Sequence, residues 1–180
     1  MRWLPFQLNP DLPESGITRE EYVARKFGTR GKGVNERVIM AGRQVGIPFD
    51  YEKMKVQPNT LNSHRLMLYA EREGRQDELA ESLFHAHFTQ GANLTDVETL
   101  ADIAARAGLD RKAAAAYLAG NEGRDEIARA DVEARGAGIG GVPFFIFNRK
   151  IGVSGAQDPD TLVQAMEQAL TEGGRMKDEG

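Results

Sequence analysis

Gly140-Gly141-Val142-Pro143-Phe144-Phe145-Ile146-Phe147 decides how this 180-residue chain is read. Glycines lead into a proline, and the proline opens a short run of aromatic and apolar residues. A run of this length between turn residues predicts a buried β-strand. Asn148-Arg149-Lys150 supplies a turn and Ile151 to Ser154 a returning strand, so a β-hairpin is expected. Asp158-Pro159 reads as a helix N-cap with proline at the first helical position. Leu162, Met166 and Leu170 give that last helix an apolar stripe. The final residues, Gly173 to Gly180, read as a frayed polar tail. Proline heading the strand points to a cis Val142–Pro143 peptide bond, because cis costs little only before proline. An ordinary strand start, where proline is tolerated, is the alternative.

Working outward, Arg2 to Leu8 alternates, with Leu4, Phe6 and Leu8 on one face. That period predicts a half-buried strand, and Pro5, which has no N–H to give a ladder, makes it an edge strand. Thr18-Arg19-Glu20-Glu21 is a capping box that should start a helix running to Phe27, broken by Gly28, Gly31 and Gly33. A second helix is predicted over Val34 to Val45. From Asn59 to Arg135 the pattern is helical throughout. Asn59 or Thr60 caps a helix that ends at Gly74, and Leu79, Leu83 and Ala86 stripe the next. Thr95 to Glu98 is a further capping box ahead of Val97, Leu100, Ala101 and Ala104, and two more helices cover 111–118 and 124–135. The expected order is strand, two helices, a bundle of about five helices, a hairpin, and a final helix.

Composition narrows the function. Hydrophobic residues at 41% and charged residues at 28% suffice for a core and exclude disorder. A net charge of −4 argues against a nucleic-acid partner, which calls for a basic face. No apolar run approaches the roughly 18 residues that span a bilayer, and the first residues lack the apolar region of a signal peptide. No membrane partner is expected, and the expected location is cytoplasmic. The cysteine count is zero, which removes disulfides, thiolate metal sites and any cysteine nucleophile from these residues.

One feature of the pattern is inconsistent. Arg2 to Leu8 reads as an edge strand, yet the next strand candidate lies more than a hundred residues away. A strand that should pair with it is missing from the pattern. An unpaired edge is also an aggregation hazard, so a homodimer through the exposed sheet edge is expected.

Four stretches carry a resemblance: WLPFQLNPDLP at 3–13, NTLNSHRL at 59–66, GGVPFF at 140–145 and VSGAQ at 153–157. They resemble the DsbA-like thioredoxin family, in its FrnE-like branch, and they span nearly the whole chain. The resemblance implies an α/β, thioredoxin-like fold with an all-helical insertion. Residues 1–58 and 139–175 would form the core, incomplete here, and 59–138 the insertion. Family members open with a further strand, central in the sheet, and a helix that begins with a Cys-x-x-Cys dithiol. This sequence lacks both, so a reading frame that starts too late, or a genuine fragment, is the expectation. About five buried strand side chains would be lost with that strand, on the order of 8–15 kcal/mol. That is as large as the net stability of a domain, about 5–15 kcal/mol.

The resemblance implies a thiol–disulfide oxidoreductase that is inactive as a dithiol enzyme in this chain, with no catalytic residue present. Val142 and Pro143 would shape the substrate side of the exchange site, and His64 would lie near its rim. Its partners would be a thiol- or disulfide-containing protein or a small-molecule thiol, with no cofactor. A second reading is a glutathione-dependent isomerase or transferase related to the 2-hydroxychromene-2-carboxylate isomerases, with glutathione as its cofactor and a serine in place of the first cysteine. A third is a non-catalytic truncated paralogue that binds a peptide or a partner.

The remaining motifs have simpler readings. Asn59 is a natural helix cap, and Arg65 an exposed helix arginine that could otherwise bind a carboxylate. His85 and His87 point apart on a helix and do not share a metal ion easily, so no metal site is expected. Gly136-x-Gly138-x-x-Gly141 has the letters of a dinucleotide fingerprint but not its strand-before, helix-after context. Asn93-Leu94-Thr95 is a glycosylation sequon only in a secreted protein, and Ala113 to Ala116 is plain helix-forming sequence.

Overall fold

Side-chain caps start four of the helices among the described residues. The Thr18 hydroxyl accepts the Glu21 N–H at 3.1 Å and starts α1, Arg19–Phe27. Asp110 does the same for α6, Arg111–Ala119, and Asp158 for α8, Pro159–Gly174, where its carboxylate accepts the Thr161 N–H at 3.0 Å. At α5, Val97–Arg106, the cap is Asp96, which accepts the Thr99 N–H at 2.9 Å. The predicted Thr95 cap is therefore one residue early; Thr95 donates both its N–H and its hydroxyl to Asn93. A carboxylate is the better partner for the positive end of a helix.

The computed structural model describes residues 1–28 and 35–174. The predicted breaks at Gly31 and Gly33, the predicted helix start at Val34 and the tail at 175–180 lie outside the described residues. The order is β1 (Ile17–Thr18), α1, α2 (Glu36–Gln44), β2 (Val56–Gln57), α3 (Leu61–Arg72), α4 (Gln76–Gln90), α5, α6, α7 (Arg124–Gly136), β3 (Phe144–Phe147), β4 (Ile151–Ser154) and α8. The chain divides into two units, Met1–Ala130 and Asp131–Gly180. No helix among the described residues is long and apolar enough to cross a membrane.

In the first unit α3 packs on α4, α5 and α6, and α5 packs on α6. Leu66, Leu79, Leu100 and Ile103 are fully buried between them, and buried alanines such as Ala70, Ala104 and Ala114 let the helices approach closely. At the C-cap of α4, Gly91 has φ +70°, and a Cβ there would sit 2.4 Å from the Lys53 carbonyl oxygen. Only glycine satisfies both conditions. β1 and β2 pair antiparallel, Ile17 with Gln57 and Thr18 with Val56.

Arg2 to Leu8 is not a strand. A side chain, not a neighbouring strand, engages its backbone. Gln76 accepts the Trp3 N–H at 2.9 Å and donates to the Trp3 carbonyl at 3.0 Å. The adjacent Phe6 and Gln7 are both buried, while Leu4 and Leu8 are exposed. Alternation in sequence becomes alternation in burial only when a ladder flattens the backbone, and here none does.

A buried arginine joins α3 to the end of α6. Arg65 is fully buried and donates to five acceptors. Its Nε reaches the Glu122 carbonyl at 2.7 Å. Nη1 reaches Asn62 Oδ1 at 2.8 Å and the Leu118 carbonyl at 3.0 Å, and Nη2 reaches the carbonyls of Tyr117 at 2.9 Å and Gly120 at 2.7 Å. The guanidinium closes the open carbonyls of the last turn of α6, where the helix dipole favours a cation. The Tyr117 ring lies 5.5 Å from its carbon. This corrects the expectation of an exposed arginine free to bind a carboxylate.

The second unit holds the hairpin. β3 and β4 pair antiparallel from Phe144–Ser154 to Phe147–Ile151. The turn has Asn148 and Arg149 at φ 49° and 58°, both left-handed, as a tight hairpin demands. A Cβ on Gly152 would meet the Phe144 ring at 2.8 Å, so that position must be glycine for the ring to lie across it. α8 packs on both strands, and Asn148 Nδ2 ties the turn to the Ala169 carbonyl at 3.1 Å.

Two burial expectations fail in this unit. β3 is not a buried strand: its three phenylalanines are half-buried and Ile146 is 47% exposed. Among the described residues β3 has one hydrogen-bonded neighbour, β4. On α8 the buried positions are Ala165 and Ala169, while Met166 and Leu170 of the predicted stripe are exposed.

Replacing Arg65 by methionine keeps the apolar stem and strands the five acceptors. Urea denaturation is expected to show a loss of about 3–5 kcal/mol, the cost of breaking a buried charged network. A change within about 0.5 kcal/mol would contradict the keystone role.

Candidate functional site

The Val142–Pro143 peptide bond is cis, and it stands at the head of β3. The Pro143 carbonyl accepts the Gly155 N–H at 2.9 Å, which extends the ladder one pair beyond the strand. Register then fixes the backbone directions. Pro143, Phe145 and Phe147 turn their peptide groups toward β4, opposite Gly155, Val153 and Ile151. Phe144 and Ile146 turn theirs to the open edge. Val142 is 48% exposed, and its backbone takes no hydrogen-bond partner among the described residues. Upstream, the Ile139 N–H returns to the Ala134 carbonyl at 3.0 Å, and Gly138 at φ +83° makes that turn.

This arrangement suits binding of an extended main chain. A strand edge with free N–H and C=O groups accepts a backbone, and half-exposed apolar side chains beside it accept alternate side chains. It does not suit covalent chemistry by itself. The chain has no cysteine, and its three histidines, His64, His85 and His87, all lie in the first unit. Ser154 therefore has no histidine within its unit to act as a base.

His64 lies in the first turn of α3, half-buried, and its N–H bonds the Thr60 carbonyl at 3.0 Å. It belongs to the first unit, whereas Val142 and Pro143 belong to the second. Five residues before it, Asn59 serves the first N–H of α3 and more. Its Oδ1 accepts the Leu61 N–H at 2.9 Å and the Gln7 side chain at 3.2 Å, and its Nδ2 donates to the Leu12 carbonyl at 2.6 Å. It thereby ties the N-terminal segment to the start of α3. Capping was legible from Pro58-Asn59-Thr60; the tether across some fifty residues was not.

His85 and His87 part company on α4. His85 is exposed and contacts Thr89 and Gln90. His87 is buried, with Nδ1 at 3.3 Å from the Ala92 carbonyl oxygen and its ring edge-on to Phe88 at 4.9 Å. Burial lowers the His87 pKa, the Ala92 carbonyl opposes that shift, and Arg19 adds to it. Sequence reading also missed an aromatic chain in this unit. It runs from Trp3 through Phe84, Phe88 and Tyr51, with the Arg19 guanidinium 5.6 Å from the Tyr51 ring and 5.5 Å from Tyr22. Its members come from four separate segments, so no local pattern announces it.

The family model described as the DSBA-like thioredoxin domain matches residues 1–167. Among solved structures, a probable DsbA oxidoreductase from Streptomyces coelicolor is similar at 28% identity with a TM-score of 0.84. The match covers 93% of this chain and 74% of that one. No curated protein matches the chain.

The lowered pKa of His87 sets a pH dependence. The unfolded chain takes up a proton near pH 6.5, its ordinary value, and the folded chain only at lower pH. Above that range the residue has no effect. As pH falls through it the unfolded state binds more protons and stability drops. Urea midpoints at pH 7.5 and 5.5 should show this fall in the native protein and a smaller fall in His87→Gln. Equal falls in both would contradict it.

Proposed function

The chain belongs to the DsbA-like thioredoxin family, and from that membership we propose that it supplies the substrate-binding side of a thiol–disulfide exchange site. In this reading Val142 and Pro143 present the loop along which an extended polypeptide lies. The open backbone of Val142 at the head of β3 is the observation that carries it. Exchange itself requires a thiolate that attacks a substrate disulfide, forming one S–S bond as another breaks and releasing the second substrate sulfur as a thiolate. These 180 residues contain no such group, so the polypeptide binds and does not turn over. The FrnE-like branch, a thioredoxin-like core at 1–58 and 139–175 around a helical insertion at 59–138, and a cytoplasmic location complete the proposal.

The competing reading in the same family is a glutathione-dependent isomerase or transferase, in which the loop would hold the glutathione backbone. A non-catalytic binding protein is the third. Amide shifts of the isotope-labelled chain separate the first two. Titration with an unfolded, thiol-blocked polypeptide is expected to move the Val142 and Phe144 amides, and titration with glutathione to leave them in place. Shifts with glutathione alone would favour the isomerase reading. No shift with either would overturn the assignment of this loop as a binding site.

A further inference from the structure

We propose that Gly155 is a positioning residue for the Val142–Pro143 loop, holding it in the form that receives an extended chain. This role rests on the binding reading of that loop and names what keeps the loop in place. Among the described residues, Gly140 to Pro143 make one backbone hydrogen bond, from the Gly155 N–H to the Pro143 carbonyl at 2.9 Å. Pro143 has no N–H of its own, and the Val142 N–H and carbonyl take no partner among the described residues. Gly140 and Gly141 by themselves populate many backbone conformations. A loop that wanders must be ordered at the moment of binding, and that ordering subtracts from affinity. The bond from Gly155 is what orders it beforehand.

Gly155 makes that bond through its own conformation. It lies just past β4 at φ +81°, in the left-handed region, where the chain leaves the ladder and turns toward α8. The nearest group a Cβ would meet there is Gln157 Nε2, at an ordinary 3.8 Å. Space is open, so the demand for glycine comes from the backbone and not from crowding. The turn is secured on both sides. Behind it, β4 is held to β3 from Ser154 to Ile151. Ahead of it, Gln157 Nε2 donates to the Ser154 carbonyl at 2.9 Å. Asp158 then accepts the N–H and the hydroxyl of Thr161, each at 3.0 Å, and starts α8. Val153 to Gln157 therefore works as a fixed post, built from local bonds within one unit, from which a single N–H reaches the loop.

Titration of the isotope-labelled 180-residue chain with an unfolded, thiol-blocked polypeptide tests this in the native form and two variants. Gly155→Ala penalises the left-handed turn, so a smaller fraction of molecules carries the anchored loop. Apparent affinity should fall by that fraction, about five- to thirtyfold. Gly155→Asn adds a larger side chain but tolerates left-handed geometry, and should bind within about twofold of the native chain. Crowding would give the opposite order. In the free Gly155→Ala chain the Val142 and Phe144 amides should shift while those of Phe147 and Ile151, at the far end of the hairpin, stay in place. Equal affinity in the native and alanine forms, or equal losses in both variants, would overturn the proposal. Where the far hairpin amides also move, Gln157→Met decides, because it removes the donor to Ser154 from an exposed position. It should weaken binding about two- to tenfold, and native affinity there would overturn the proposal. A native chain that binds no polypeptide would remove the binding reading itself, and the role of Gly155 with it.

Discussion

Arg65 is the constraint on which the helical unit depends. A charge taken fully out of water costs several kcal/mol unless every donor is used. Here five acceptors use them, and three are carbonyls at the end of α6, Tyr117, Leu118 and Gly120. These groups cannot be satisfied within their own helix, so a cation from α3 solves two problems at one contact. Its position in turn sets where α6 stops and where Gly123, at φ +81°, turns the chain toward α7. Glu14 then grips Arg124 through both carboxylate oxygens, at 2.8 and 3.0 Å. Gln76, Asn59 and Arg124 are among the side chains that hold the N-terminal segment.

The second unit is organised differently. Among its described residues it has the end of α7, a hairpin, α8 and few buried side chains, and its apolar surface is left partly in water. β3 is the clearest case, because its composition suits a strand covered on both faces and its sheet supplies one neighbour. This is where the proposed binding capacity would arise. A well-satisfied core has nothing to offer a ligand, whereas a strand with outward N–H and C=O groups beside an exposed Val142 does.

Local chemistry was legible in the sequence and long-range chemistry was not. The Thr18 and Asp158 caps, the hairpin at 144–154 and its turn at Asn148-Arg149 all depend on neighbours a few residues apart. The resemblance carried by GGVPFF and NTLNSHRL identified the family, because those stretches hold the loop and the α3 start in recognisable form. Arg2 to Leu8 misled, since its alternation shows only that a strand is permitted. Whether one forms depends on a partner, and Gln76 takes that place. Arg65 misled for the same reason, as four of its five acceptors lie more than fifty residues on. The exposure of Ile146 and Leu170 could not be read from residues whose composition argues for burial.

The central claim is a division of labour: these residues build the binding side of a DsbA-like site and hold no exchanging thiol. Insulin reduction in dithiothreitol measures the missing half directly. The account predicts that adding the purified 180-residue chain leaves the rate equal to dithiothreitol alone. A rate that rises in proportion to the chain added would contradict it.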